Sequence, residues 1–247
     1  MIKRCFDIVA SGVGLIVFAP VLLPVMYLVW RQDGASPFYV ADRTGLNSRP
    51  FKMVKLRSMI VNADVSGVDS TSNTDQRITK VGHFIRKFKL DEVTQLWNVL
   101  KGDMSLVGPR PNVKRETDLY TREETKLLAV RPGITDFSSI VFSDEGEILE
   151  NFEDPDLAYH QYIRPGKSEL GLFYIKKGGL YVDLALVFLT ALAIVSRQRA
   201  LVHLGRLMLS IGASEGLILL ASRTRPLAPR PPPGATTIVQ SRDGRSD

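Results

Sequence analysis

The chain has 247 residues, with 32 Lys+Arg against 26 Asp+Glu and a formal charge of +6. That length holds one domain with a sizeable core plus an appendage, and the modest basic excess suits nucleic acid, an anionic membrane surface or a phosphorylated substrate without choosing among them. Cys5 is the only cysteine and His83, His160 and His203 are scattered, which excludes an intrachain disulfide and a Cys-based zinc site.

Ile8 to Trp30 carry no charged side chain, a run of 23 residues. A helix crossing the hydrocarbon core needs ~20, and a cleaved signal peptide would carry a shorter run of ~7–15. Pro20 and Pro24 interrupt the run. Each removes a backbone donor, so a bend is expected. Lys3 and Arg4 precede the run and Arg31, Arg43 and Arg49 follow it, so charge asymmetry does not orient it. Two readings stand side by side: a kinked helix that spans, and a re-entrant segment that breaks near Pro20 and returns.

Pro37–Val40, a Gly45–Pro50 turn and Phe51–Leu56 read as a β-hairpin. Residues 62 to 76 are polar and read as a loop. Ile78, Val81, Ile85 and Phe88 recur at helical spacing among Lys80, Arg86, Lys87 and Lys89, which predicts a basic amphipathic helix suited to an anionic surface or to a solvated face. Val93, Leu96, Trp97 and Leu100 predict a second helix, with Asp91 at its N-cap and Gly102 as its stop. Gly102–Pro111 reads as a loop presenting Arg110 between two prolines. A helix is expected over 116–130, an acidic surface loop over 144–156, and a buried or interfacial helix over 181–195. A further apolar stretch covers 200–222, and a disordered Pro/Arg-rich tail 223–247.

Asp91 and Glu92 admit two readings. They cap and complement a helix start, or they do chemistry. A carboxylate can attack phosphorus, and a neighbouring one can help hold Mg²⁺ near a phosphate at a helix start. Arg110, Arg43, Lys55, Arg57 and Arg86 are candidate phosphate ligands, and each taken singly also fits a solvated charge.

Taken together, these motifs resemble the bacterial sugar transferases, the small monotopic polyprenyl-phosphate phosphoglycosyl transferases. The resemblance is carried by Lys3-Arg4-Cys5-Phe6-Asp7, Arg43-Thr44-Gly45, the stretch from Phe51 to Met59, Ile78-Thr79-Lys80-Val81-Gly82, the long block from Leu90 to Pro111, and Arg131-Pro132-Gly133-Ile134-Thr135. It covers roughly residues 1 to 197. It implies that residues 1–33 form a re-entrant membrane helix and 34–199 the catalytic domain, on the cytoplasmic face of a bacterial inner membrane. The expected fold is α+β and mostly helical, a small hairpin and interfacial helices around that domain.

The resemblance further implies that Asp91 is a nucleophile attacking the β-phosphate of a nucleoside-diphosphate-sugar, that Glu92 assists beside it at a Mg²⁺ site, and that Arg86 lies near the phosphate of a polyprenyl acceptor. Lys55 and Arg110 would bind donor phosphates or nucleotide, and Arg131 joins them as a substrate-binding cation. The sequence departs from the family pattern at Ala19-Pro20, where Ser-Pro is frequent, and over Asp136–Gly146, which bears on sugar choice. No nucleic-acid-binding motif is present, oligomeric state is left open with room for a homo-oligomer, and a catalytically inactive membrane scaffold is the alternative.

Overall fold

The computed structural model describes residues 2–63, 75–150 and 152–241. The loop expected over 62–76 lies mostly outside them.

Helix α1 (Ile2–Asp33) is continuous through Pro20 and Pro24, so the break expected near Pro20 is not a break in the helix. The prolines are four apart, so the donors they lack fall on one side, and the other rows of the backbone ladder carry the helix through. It is the one helix among the described residues long and apolar enough to cross a membrane. A single stripe is covered: Asp7, Ser11, Leu22, Val25 and Val29 are buried, while Ile8, Val13, Ile16, Val17 and Leu23 are exposed.

Lys3 and Arg4, read from sequence as membrane-flanking charges, are internal anchors. Lys3 Nζ donates to Asp183 Oδ2 (2.5 Å), the Tyr174 hydroxyl (3.1 Å) and Val107 O (3.2 Å). Arg4 donates to Val99 O (2.6 Å) and Leu100 O (2.9 Å). Asp7 accepts from Ser105 Oγ (2.9 Å) and Leu106 N (3.1 Å). At the far end Asp33 accepts from Arg57 Nη1 (2.6 Å) and Nη2 (2.7 Å). Arg57, a candidate phosphate ligand by sequence, is thus occupied by α1.

Strands β1 (Phe38–Thr44) and β2 (Pro50–Leu56) form the expected hairpin, antiparallel with Tyr39 opposite Lys55. Asn47 and Ser48 turn it at positive φ. Helix α2 (Lys80–Lys87) starts where Thr79 Oγ1 accepts from Gly82 N. Its Ile85 is buried with Leu56, Leu90 and the Leu22–Val29 stripe of α1, whereas Phe88, expected on that face, is exposed beside Phe84.

The second predicted helix is split into α3 (Leu90–Val93) and α4 (Leu96–Lys101). Thr94 Oγ1 donates to Asp91 O and Val54 O at the joint, a local bond that competes with the helix ladder. Gly102 ends α4 at φ 95, as expected.

Strand β3 (Ser105–Val107) pairs in parallel with β4 (Gly133–Thr135). Gly108 and Gly133 cross so closely that a Cβ on Gly133 would lie 2.1 Å from Gly108 N and 2.5 Å from Gly108 O. Backbone cannot give way there, so Gly133→Ala is expected to lose about 3 kcal/mol of stability, read from the urea unfolding midpoint. A loss under about 1 kcal/mol would mean the crossing is loose.

The helix expected over 116–130 is instead α5 (Lys114–Thr117) and a 3-10 segment, Glu124–Ala129. Thr121 Oγ1 accepts from Glu124 N while Glu124 Oε2 accepts from Thr121 N, a capping box that restarts the chain there. The acidic stretch expected as a loop contains α7 (Glu145–Leu149) and α8 (Pro155–Ala158), preceded by α6 (Phe137–Val141). Leu149 and Ala158 are buried, so these short helices are held by packing rather than by propensity.

Helices α9 (Arg164–Lys177), α10 (Leu180–Val195), α11 (Arg197–Ser210) and α12 (Glu215–Ser222) complete the domain. Residues 200–222 are packed into the main core through Ala200, Leu204, Met208 and Ala221. Along α10, Tyr181, Leu184, Phe188 and Val195 form an exposed apolar stripe, and its one charged residue, Asp183, is turned inward. Beyond α12 the described tail has no helix or strand, yet it is bonded to the domain through Arg230 N to Gln161 O (3.1 Å) and Gln161 Nε2 to Val239 O (2.8 Å).

Candidate active site

Four elements converge on one cavity of about 440 Å³. Strand β2 contributes Lys55, α2 contributes Arg86, α3 contributes Asp91 and Glu92, and the segment after β3 contributes Arg110. Lys89 sits at φ 53 between α2 and α3. This left-handed residue turns the chain so that Asp91 and Glu92 occupy the first turn of α3. Asp91 is therefore not the cap expected from sequence, and neither carboxylate makes a capping bond at that helix start.

Arg110 Nη2 donates to Glu92 Oε1 at 2.7 Å. Lys55 Nζ stands 3.7 Å from Asp91 Oδ2. Arg86 Nε donates to Ser58 Oγ at 3.1 Å. These contacts push the two carboxyls apart. Burial holds the Asp91 carboxyl above its usual range, with adjacent Glu92 adding to the effect and Lys55 and Arg86 opposing it. Glu92 is also buried, but Arg110, Lys89 and Lys55 outweigh that and bring it down to about 2. Environments that separate a carboxylate pair in this way are characteristic of working sites.

The cations are equally informative. Burial lowers Lys55, Arg43 and Arg86 from their ordinary values. Desolvated positive charge of this kind is relieved by an anion, and a planar guanidinium matches phosphate. The cavity walls carry Arg43, Lys55, Arg86, Lys89, Arg110 and Lys167 against Asp91, Glu92, Glu116 and Glu145, six cations to four carboxylates. An acidic carboxylate lining a basic cleft can meet a phosphorylated ligand without repelling it.

Of the sequence candidates, Lys55, Arg86, Asp91, Glu92 and Arg110 come together, with Arg43 beside them. Arg131 does not. Its Nε donates to Gly102 O at 2.9 Å, and it lines a separate cavity with Lys3, Arg4 and Asp7. Sequence reasoning missed other lining residues: Asn112, Ser138, Ser139, Tyr159 and Lys167. The one local signal was Asp136, which caps α6 by accepting from Ser139 N at 2.8 Å. A second opening, lined by Phe38, Val40, Ile60 and Val61, also reaches Asp91, Lys55 and Arg86.

Asp91 and Glu92 fit Mg²⁺, which is commonly held by one or two carboxylates with substrate phosphates completing its shell. Among the described residues no group of three or more metal-binding side chains forms an all-protein cage.

Residues 1–197 match the model of a family described as bacterial sugar transferase. The chain is 33% identical over 198 residues to a UDP-N-acetylgalactosamine-undecaprenyl-phosphate N-acetylgalactosaminephosphotransferase of Aeromonas hydrophila, covering 79% of this chain and 44% of that protein. It is 35% identical to an undecaprenyl-phosphate galactose phosphotransferase of Salmonella typhimurium, covering 81% and 41%. It is 34% identical to the exopolysaccharide production protein ExoY of Rhizobium meliloti, covering 78% and 85%. The chain thus spans less than half the length of the first two relatives and most of the third.

Proposed function

The chain belongs to the bacterial sugar transferase family, and from that premise we propose that it moves a sugar-1-phosphate from a nucleoside-diphosphate-sugar, a UDP-sugar by analogy with the Aeromonas relative, to undecaprenyl phosphate at the cytoplasmic face of a bacterial membrane, initiating a surface polysaccharide or glycoconjugate. The observation that carries this reading is Asp91, a carboxylate lining a basic cavity with Lys55 Nζ 3.7 Å away.

In the proposed reaction a carboxylate oxygen of Asp91 forms a bond to the sugar-bearing β-phosphorus. The bond from that phosphorus to the bridging oxygen breaks, and nucleoside monophosphate leaves with the electron pair. A phosphate oxygen of the lipid then attacks the same phosphorus and Asp91 departs, leaving polyprenyl-diphosphate-sugar. Two half-reactions through one covalent adduct give ping-pong kinetics. Lys55 and Arg110 hold the donor phosphates, Arg86 the lipid phosphate, and fixed cations of this kind act where charge develops. Arg110 also fixes Glu92 beside the nucleophile. Mg²⁺ would be held by Asp91 and Glu92, where it neutralises pyrophosphate charge.

A membrane-bound acceptor requires the cavity to sit at the bilayer, and α1 and α10 support that placement. Both ends of α1 are tied to the same domain, Lys3 and Arg4 at one and Asp33 at the other. A helix crossing the bilayer would carry one end away from it. The exposed apolar residues between those ends and the apolar stripe of α10 fit a monotopic protein resting in one leaflet, with the continuous α1 lying along that leaflet rather than across it.

The test is a panel of UDP-sugars with purified protein and polyprenyl phosphate in lipid nanodiscs. Nucleoside monophosphate release with at least one donor, and a phosphosugar adduct on the peptide holding Asp91 when the lipid is omitted, are expected. No release with any donor, or an adduct elsewhere, would refute the reading.

A further inference from the structure

The cavity that Asp91 lines is also lined by Phe142, Ser143, Glu145 and Gly146. This wall is held from behind by residues at and beyond the end of the family match. Arg197 Nη2 pairs with Asp144 Oδ1 at 3.0 Å, and its Nε donates to Ser143 Oγ at 3.1 Å. Arg223 grips the same carboxylate from the other side, Nη1 to Oδ1 at 3.2 Å and Nη2 to Oδ2 at 3.1 Å. Arg223 Nη1 also donates to Val141 O at 3.2 Å, and its guanidinium lies 5.5 Å from the Phe142 ring centre.

The backbone at Arg223 is informative. It caps α12 at φ 51, a left-handed position that glycine occupies at least cost. An arginine is accepted there with its side chain directed onto Asp144. From this point the tail forms a strap. Arg230 pairs with Glu169 of α9 at 3.1 Å, Thr121 Oγ1 donates to Pro233 O, and Val239 is buried beside Gln161. Tyr159 and Lys167, on the segments that the strap crosses, line the cavity.

We propose that Arg223 and the strap that follows it are positioning residues for the donor: through Asp144 they hold the 142–146 wall at the separation from Asp91 that the sugar must fill, and so set donor affinity and sugar choice. This rests on the transferase reading for its substrate, not for its mechanics. Bidentate Arg–carboxylate pairs fix geometry as well as energy, and a wall displaced by about 1 Å costs a well-fitted substrate heavily.

The test compares the full chain with Arg223→Gly, which relieves the left-handed backbone while removing the grip, and with Asp144→Asn, which keeps the shape but weakens both arginine pairs. Steady-state kinetics with the accepted nucleotide-sugar should show donor KM raised about tenfold, with acceptor KM and the thermal midpoint little changed and discrimination between epimeric sugars reduced. A purely structural role would lower the midpoint and move both KM values together, and that outcome would overturn the proposal. Hydrogen–deuterium exchange gives an answer independent of turnover. Amides of 136–149 should exchange faster in both variants while those of 90–101 do not. If the unaltered chain turns over no nucleotide-sugar, the function reading fails, and the exchange result still decides the strap: unchanged protection over 136–149 in both variants sinks it.

Discussion

Asp91→Asn protein is expected to release nucleoside monophosphate at least about a thousandfold more slowly than the unaltered chain, because an amide cannot form the phosphosugar adduct. It should nevertheless be folded at least as stably. Burial raises the Asp91 carboxyl above 3.8, the ordinary value expected in the unfolded chain. Across the window from 3.8 up to the raised value, the folded state binds more protons than the unfolded state. Stability conferred by the protonated form is therefore complete below the window and lost as pH rises through it. Asparagine never ionises, so the variant should lack that decline. Urea unfolding from pH 3 to 7 reads the difference directly. In the proposed reaction the attacking species is the carboxylate, so the rate should fall as acid protonates it. A variant retaining more than a tenth of normal release would remove Asp91 from the nucleophile role, and one markedly less stable near neutral pH would show that burial does not disfavour the ionised carboxyl.

Arg164→Met should destabilise the fold by about 3–5 kcal/mol, the usual consequence of leaving one member of a buried ion pair alone. Arg164 Nη2 meets Glu124 Oε2 at 2.7 Å, its Nε meets Oε1 at 3.1 Å, and both side chains are almost fully buried. Ser168 Oγ adds a bond to Glu124 at 2.6 Å. Without the guanidinium, a carboxylate remains in the core with hydroxyl and amide partners only. Replacing both members, as Arg164→Met with Glu124→Leu, should recover part of the loss, since removing two buried charges together avoids the unpaired one. Chemical denaturation of both proteins at neutral pH decides this. A single-variant loss under about 1 kcal/mol would show that water reaches the pair. Lys167 lies within a turn of Arg164 on α9 and lines the cavity, so catalytic loss should accompany the loss of stability.

What the sequence revealed and concealed divides along the range of the interactions. The hairpin and the buried face of α2 are set by residues within a few positions of each other, and they follow from local pattern. Gly102 ended its helix as its type predicts. The split between α3 and α4 was hidden because Thr94 bonds Val54, forty residues away. Lys3, Arg4 and Arg57 were misread for the same reason: a cation in sequence looks solvated or phosphate-binding until the carboxylate or carbonyl that occupies it is brought up from elsewhere in the chain. Asp91, Glu92 and Arg110 were legible through the block from Leu90 to Pro111, Lys55 through the Phe51–Met59 stretch and Arg86 on the basic helix, and all five line one cavity. The rest of the lining was not, because Ser138, Tyr159 and Lys167 come from distant parts of the chain and reach the cavity only when the domain is packed.

The Lys3–Asp183 pair joins positions 180 residues apart. Asp183 is the only ionic group of α10, and until Lys3 arrives its carboxylate has no cation to balance it in the core. Closure of the domain thus couples the start of α1 to a helix near the end of the family match. Helix α1 must be docked before α10 can bury that carboxylate with a partner. An altered α1 should therefore loosen α10 and the core around it, and not the N-terminal helix alone.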